Sequence, residues 1–269
     1  MDLFYKILLF LQTEMETPKP YGIFHFICIF LTIIFIIILF LLRKKDKEKT
    51  LKIVLGIYGI TVFILEFLKQ VIWTFNYDLA LNTITWDYQW YAFPFQLCTT
   101  PIYASLICLF LNPCKIRDSL LSYLAFITIL GGFLTILIPD SCFTSDILVN
   151  VHTMFLHCGS FVLSVYLIMN GIVKINKNNL KNAFLIFLIF VGLALVLNLV
   201  IYNLGILNGE TFNMFYISPY FISVLPVFSV IQESVPYLLF LLIYILSVFI
   251  GGFIVYLIAY LIKQICKSI

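Results

Sequence analysis

The sequence predicts an all-α fold: a polytopic membrane helical bundle of seven transmembrane helices, with the N-terminus outside and the C-terminus cytoplasmic. Three observations predict it. Hydrophobic residues make up 63% of the 269 and charged residues only 11%, with a mean hydropathy of +1.10. A soluble domain carries about a quarter charged residues, so there is too little polar surface here to face water, and lipid must be the solvent. The apolar runs are helix-length and lack the alternation of a membrane β-barrel, and only helices satisfy their own backbone within one segment. Finally, Lys and Arg are distributed among the connecting loops in strict alternation.

Residues 1–20 read as an N-terminal interfacial segment. Met1 to Leu11 is apolar but short, and no small-residue cleavage site follows, which argues against a signal peptide. Residues 21–269 form a single seven-helix transmembrane domain. Its expected spans are 23–42, 51–73, 93–111, 120–138, 151–169, 184–204 and 237–262, where a bilayer needs about 20 residues per crossing. Pro94 falls at the start of the third span, where a missing N–H costs little. Pro101 lies deeper, and is expected to kink that helix and free the carbonyl of Leu97. Gly131–Gly132 and Gly251–Gly252 allow helix backbones to approach closely. Residues 216–230 are apolar but interrupted by Pro219 and Pro226, so a re-entrant or surface-lying segment is expected there. The sequence contains no internal repeat of the kind that builds many transporters.

Orientation follows from the basic residues. Arg43, Lys44, Lys45, Lys47 and Lys49 follow the first span, Lys115 and Arg117 the third, Lys174, Lys177 and Lys181 the fifth, and Lys263 and Lys267 the last. The loops between these carry acids instead, including Asp78, Asp87, Asp140, Asp146, Glu210 and Glu233. Seven spans preserve this alternation, whereas six or eight would break it.

With this topology the scattered polar residues fall into one layer. His25 lies near the outer end of span one, and Glu66, Lys69 and Gln70 in the last turns of span two. Gln96, Cys98, Thr99 and Thr100 open span three, and His152 and His157 open span five. At 1.5 Å per residue, Cys98, Glu66 and His157 fall roughly 5–12 Å below the outer boundary. Ionisable groups inside a membrane face a cavity or the bundle interior, so this layer is the candidate site.

A cysteine with a histidine nearby is the minimum for covalent acyl chemistry: the histidine takes the thiol proton and the thiolate attacks an acyl carbonyl. A helix start at Cys98 would offer N–H groups which, with Gln96 or Thr99, could serve an oxyanion. Each residue also has a purely structural reading. A cysteine in an apolar helix packs as a small hydrophobe, Cys158 included. Glu66 and Lys69, three apart, can neutralise each other. His25 and His152 sit where interfacial histidine is tolerated, and Trp86, Tyr88, Trp90 and Tyr91 form an interfacial aromatic belt. The seven cysteines show no C-x-x-C spacing, so neither a metal site nor a disulfide framework is expected.

The stretch YQWYAFPFQLCTTPIYAS, Tyr88 to Ser105, resembles the YwaF family of bacterial integral membrane proteins, which look related to the animal transmembrane protein 164 acyltransferases. YGIFH at Tyr21–His25, Gly131–Gly132 followed by Pro139–Asp140, HTMFLHCGS from His152 to Ser160, and FNMFYISPY with Asn213, Met214 and Pro219 are similar to further family stretches. Two positions depart: Gln96 stands where the family often has histidine, and Ser218 where it has lysine. The resemblance implies Cys98 as nucleophile and His157 as general base, with Asn213 and Tyr216 covering the cavity.

The expected function is a membrane-embedded lipid acyltransferase or acyl hydrolase acting through a Cys–His pair in an outward-facing cavity. Gln96, Thr99, Glu66, Lys69, His152 and His25 would line that cavity. A non-catalytic binding, transport or structural membrane protein is the rival, with transport disfavoured by the apolar inner halves of the spans. The expected partners are the bilayer and a membrane lipid substrate; no cofactor, metal or nucleic acid is expected. The Ile- and Lys-rich usage points to an AT-rich bacterial genome and so to a multi-pass protein of the cell membrane.

Overall fold

The computed structural model describes residues 2–42, 46–78, 80–81, 83–139 and 142–268, the side chains of 2 and 266–268 aside. Met1, Arg43, Lys44, Lys45 and Asp140, and the side chains of Asp2, Cys266 and Lys267, each used in the sequence reading, lie outside the described residues.

Helix α1 (Asp2–Leu11) is the expected short N-terminal helix. Its Leu8 packs on Ile72 and Val149, and Gln12 just beyond it donates to the Ile72 and Phe75 carbonyls at 3.0 and 3.3 Å. Helices α2 (Ile23–Leu41) and α3 (Lys47–Thr74) follow. Asp46 caps α3 by accepting from the Glu48 and Lys49 amides at 3.1 and 3.2 Å. A hairpin then forms, with β1 (Phe75–Asp78) antiparallel to β2 (Thr83–Trp86). These strands were not expected, because a four-residue alternation is too short to stand out beside a long apolar helix. Beyond the hairpin, Tyr88 contacts Trp86 and Trp90, with ring centroids 6.4 and 5.1 Å apart.

The remaining helices are α4 (Thr100–Phe110), α5 (Lys115–Phe126), α6 (Thr128–Leu137), α7 (Ile147–Met169), α8 (Lys177–Asn203), α9 (Pro226–Ser234) and α10 (Tyr237–Ser268). Helices α5 and α6 make one nearly continuous rod, bent at Ile127 (φ −103°, ψ −49°). Several helices extend past the apolar runs that announced them, because caps rather than hydropathy set their ends. Asn176, for example, accepts from the Asn179 amide at 2.8 Å and starts α8 well before its apolar run.

Among the described residues, six helical stretches are long and apolar enough to cross a membrane, with α5 and α6 counted together. The third expected span is different. It is helical only over the 11 residues of α4, about 16 Å at 1.5 Å per residue, and residues 93–99 ahead of it are irregular. Pro101 therefore does not kink a longer helix. It sits in the first turn of α4, where its missing N–H costs nothing. Nor is the Leu97 carbonyl free, since the Thr100 hydroxyl donates to it at 2.7 Å. The proline-broken stretch 216–230 is likewise irregular up to α9, as its prolines required.

The bundle is built on α5–α6 and α7. More than half of the most apolar window of each, 56%, is buried, against 11% for α2 and 17% for α10 at the periphery. Helix α5 packs on α8, α6 on α7, and α3 on both α4 and α7. The glycines explain how close these pairs come. A methyl at Gly132 would stand 2.6 Å from the His157 carbonyl oxygen, and one at Gly251 2.7 Å from the Leu130 side chain. Gly131 has open space around it, so of that pair only Gly132 provides the close approach.

This contrast is testable by thermal denaturation in detergent. Gly132→Ala should destabilise by about 1–3 kcal/mol through overpacking against backbone. Gly131→Ala should be neutral or stabilising by up to about 1 kcal/mol, from helix propensity alone.

Candidate functional site

Helix α3 brings Glu66, Lys69 and Gln70 onto one face in its last two turns, and α7 supplies His152 opposite. Glu66 is 4% exposed, Lys69 8% and His152 3%, so these charges are out of reach of bulk water and must satisfy one another. The Glu66 carboxylate receives Lys69 Nζ at 2.7 and 3.0 Å and Gln70 Nε2 at 2.8 Å. His152 Nε2 lies 2.7 Å from Glu66 Oε2, a close approach whose angle falls short of a hydrogen bond. Gln70 also donates to the Ala92 carbonyl at 2.7 Å, and the Lys69 ammonium lies 5.3 Å from the Trp73 ring centroid. The mutual neutralisation expected of Glu66 and Lys69 is present, and it is joined by a histidine from another helix.

Cys98 stands in the turn immediately before α4 and is half-buried. That turn is irregular backbone, and its buried polar groups must be paired within the protein. The pairing is nearly all local. Thr99 Oγ1 accepts from the Gln96 amide and donates to the Gln96 carbonyl, both at 2.9 Å. The Tyr103 hydroxyl donates to the Pro94 carbonyl. The Thr99 and Thr100 amides both donate to the Gln96 carbonyl, at 3.0 and 3.2 Å. At this helix start the Thr99 and Thr100 N–H groups are thus engaged, and Pro101 has none.

Gln96 and Asn213 organise a second irregular stretch, residues 212–225. Gln96 donates to the Asn213 carbonyl at 2.9 Å and accepts from the Phe215 amide at 2.8 Å, which occupies both ends of its side chain. Asn213 accepts from the Ser218 amide at 2.8 Å and donates to the Phe221 and Ile222 carbonyls at 3.2 and 3.1 Å. Two residues not singled out from sequence complete the framework. Asn198 of α8, fully buried, donates to the Met214 carbonyl at 3.0 Å and accepts from its amide at 2.7 Å. Gln232 of α9 accepts from the Ser223 amide at 2.8 Å and donates to the Ser218 and Phe221 carbonyls at 3.1 and 3.2 Å. A lone Asn in the apolar run LVLNLV was the available signal for the first. Between these clamps Phe215 and Tyr216 hold left-handed backbone, φ 59° and 56°, a conformation costing about 1–3 kcal/mol per non-glycine residue.

The layer is electrostatically continuous. Cys98 lies within electrostatic range of Lys69 and Glu66, and Tyr216 within range of Cys98. His157 lies within range of His152, but its ring turns toward α6, where Nδ1 is 3.0 Å from Thr135 Oγ1 and the Gly131 carbonyl is close by. Among the described residues no hydrogen bond joins His157 to Cys98. His25 is fully buried at the start of α2, where its Nδ1 accepts from the Tyr21 amide at 3.1 Å and its ring packs edge-on against Phe143. It ties the start of α2 to the loop after α6.

A profile of the TMEM164 family matches residues 20–252 of this chain. The chain belongs to the TMEM164 family. As a TMEM164-family chain with six apolar helices of spanning length, it is a multi-pass membrane protein. The matched range begins just before α2 and takes in every residue of the polar layer. No curated protein and no solved structure matches the chain.

Replacing Asn198 by Leu should leave the Met214 amide and carbonyl unpaired and cost about 2–6 kcal/mol, since each unsatisfied buried group costs about 1–3. Hydrogen exchange at residues 212–218 is the readout. Exchange as slow as in the unaltered protein would show that Asn198 does not hold this segment.

Proposed function

We propose that this protein is a membrane-embedded, thiol-dependent acyltransferase or acyl hydrolase acting on a phospholipid-like ester, with Cys98 as nucleophile. The observation that carries the reading is the charged layer beside the thiol. A buried carboxylate and ammonium of α3, the carboxylate shared with an imidazole of α7, lie within electrostatic range of a half-buried cysteine in the turn before α4. A purely packed cysteine needs no such neighbours.

The chemistry would run in two steps. A histidine takes the Cys98 proton, and the thiolate attacks the ester carbonyl to give a tetrahedral oxyanion. Collapse expels the lipid alkoxide, which takes the proton back from the imidazolium, and an acyl thioester remains on Cys98. In the second step an acceptor hydroxyl or water, deprotonated by the same histidine, attacks the thioester and releases the thiol. Lys69, within electrostatic range of Cys98, would stabilise the developing oxyanion.

The base proposed is His157. One observation favours a second reading, in which His152 takes that role: it is His152 that shares Glu66 with Lys69, the arrangement that orients an imidazole. In the same proposal the chain crosses the bilayer seven times, N-terminus outside, with α4 as the helical half of the third crossing. Its carboxyl end then lies in the cytoplasm, and the site opens toward the outer leaflet of the cell membrane.

Cys98→Ala should abolish covalent labelling by a lipid-like thiol-reactive probe while the gel-filtration profile stays intact; undiminished labelling would sink the assignment. His157→Gln and His152→Gln, tested separately, identify the base as the one whose loss slows labelling at neutral pH and is relieved at alkaline pH. If neither changes the rate, the layer is interhelical glue and the structural reading stands. A C-terminal green fluorescent fusion should fluoresce, whereas an alkaline phosphatase fused at the same point should be inactive. The opposite pattern would invert the topology.

A further inference from the structure

Beside the polar layer, α2, α3 and α7 diverge around a groove of about 470 Å³. Its walls are almost wholly apolar: Phe35 and Leu39 from α2, Val54 and Ile57 from α3, Met154 and Val162 from α7. Of the three hydroxyls in the lining, those of Thr32 and Tyr58 are already committed, which leaves that of Thr50. Thr32 donates to the Cys28 carbonyl at 2.8 Å, and Tyr58 to the Leu156 carbonyl at 3.2 Å. A ligand needing hydrogen bonds would find little here, whereas a hydrocarbon needs none.

The size and length of the groove match a single lipid chain. The groove is within the range of small-ligand sites, about 300–1,000 Å³. Along α2 its lining runs from Cys28 to Leu42, about 20 Å at the helical rise, against about 15 Å for the hydrocarbon of one leaflet. One lipid chain therefore fits lengthwise.

The groove also adjoins the candidate site: Tyr58, in its wall, donates to the carbonyl of Leu156, the residue before His157, and lies within electrostatic range of Cys98. The Tyr58 ring can sit there only because residue 159 is glycine, where a methyl would stand 2.8 Å from it. We infer that this groove holds one hydrocarbon chain of a membrane lipid, with the chain's ester end on the Cys98 side of Tyr58. The placement of the ester rests on the catalytic reading above; the occupancy of the groove does not.

The test uses the full chain in phosphatidylcholine vesicles containing a phosphatidylcholine with a diazirine in one acyl chain, with photolabelled peptides quantified by mass spectrometry. The groove faces of α2, α3 and α7 should label several-fold more strongly than the lipid-facing Ile189 and Leu193 of α8. Val54→Phe and Val162→Phe, on different helices, should each cut the groove label several-fold and leave the α8 label unchanged. Groove labelling no stronger than that of α8, or resistant to both substitutions, overturns the inference. So do cross-links between copies through Cys28 or Cys158, which would assign the groove to a second chain. Cys98→Ala should keep the groove label. Groove labelling without any thiol chemistry would therefore remove the catalytic reading alone, and thiol chemistry without groove labelling would remove only this one.

Discussion

Backbone that leaves the helix inside a membrane must find its hydrogen bonds within the protein, because lipid offers none. This chain leaves the helix in two partly buried stretches, residues 93–99 and 212–225, and the architecture of the candidate site follows from how their polar groups are satisfied. Side-chain amides do most of the work. Gln96 joins the two stretches to each other, Asn198 fixes the second to α8, and Asn213 and Gln232 close it on itself. Because the first stretch is irregular, α4 begins only at Thr100, and Cys98 is held in a turn instead of being packed on the side of a continuous helix.

The same requirement acts on charge. Glu66, Lys69 and His152 are each more than nine-tenths buried, and separately each would be costly in a dry interior. Together, with Gln70 completing the carboxylate, they form a compact neutralised cluster that binds α3 to α7. Small residues let the helices close around it: Gly159 receives the Tyr58 ring, and Gly132 receives the backbone of α7. The tightness of α6 on α7 also turns His157 toward Thr135. The imidazole nearest the shared carboxylate is consequently that of His152.

Much of this was legible in the chain. Hydropathy located six of the seven expected spans to within a few residues of helices that the structure contains, because a run of about 20 apolar residues has few other stable forms in lipid. The prolines correctly marked 216–230 as broken. The third span was over-extended because residues 93–99 are apolar enough to look membrane-spanning, and hydropathy carries no information on whether their amides bond to one another or to distant side chains. The site residues divide in the same way. Glu66 with Lys69 was readable as an i, i+3 pair, but Asn198 and Gln232 reach partners up to 16 and 14 positions away along the chain, outside their own helices, and had no periodicity to announce them.

The sequence by itself determined the solvent, the helical class, the approximate spans and the gathering of polar residues toward one end of the bundle. Those follow from composition and from the distance a helix rises per residue, which are local properties. Only the tertiary structure decided which of those polar residues meet. Helix rotation, set by glycine contacts and by the need to pair buried charge, put His152 on Glu66 and His157 on Thr135. Five positions along a helix, about 7.5 Å of rise, point the two histidines about 140° apart, and which neighbour each one meets is fixed by packing.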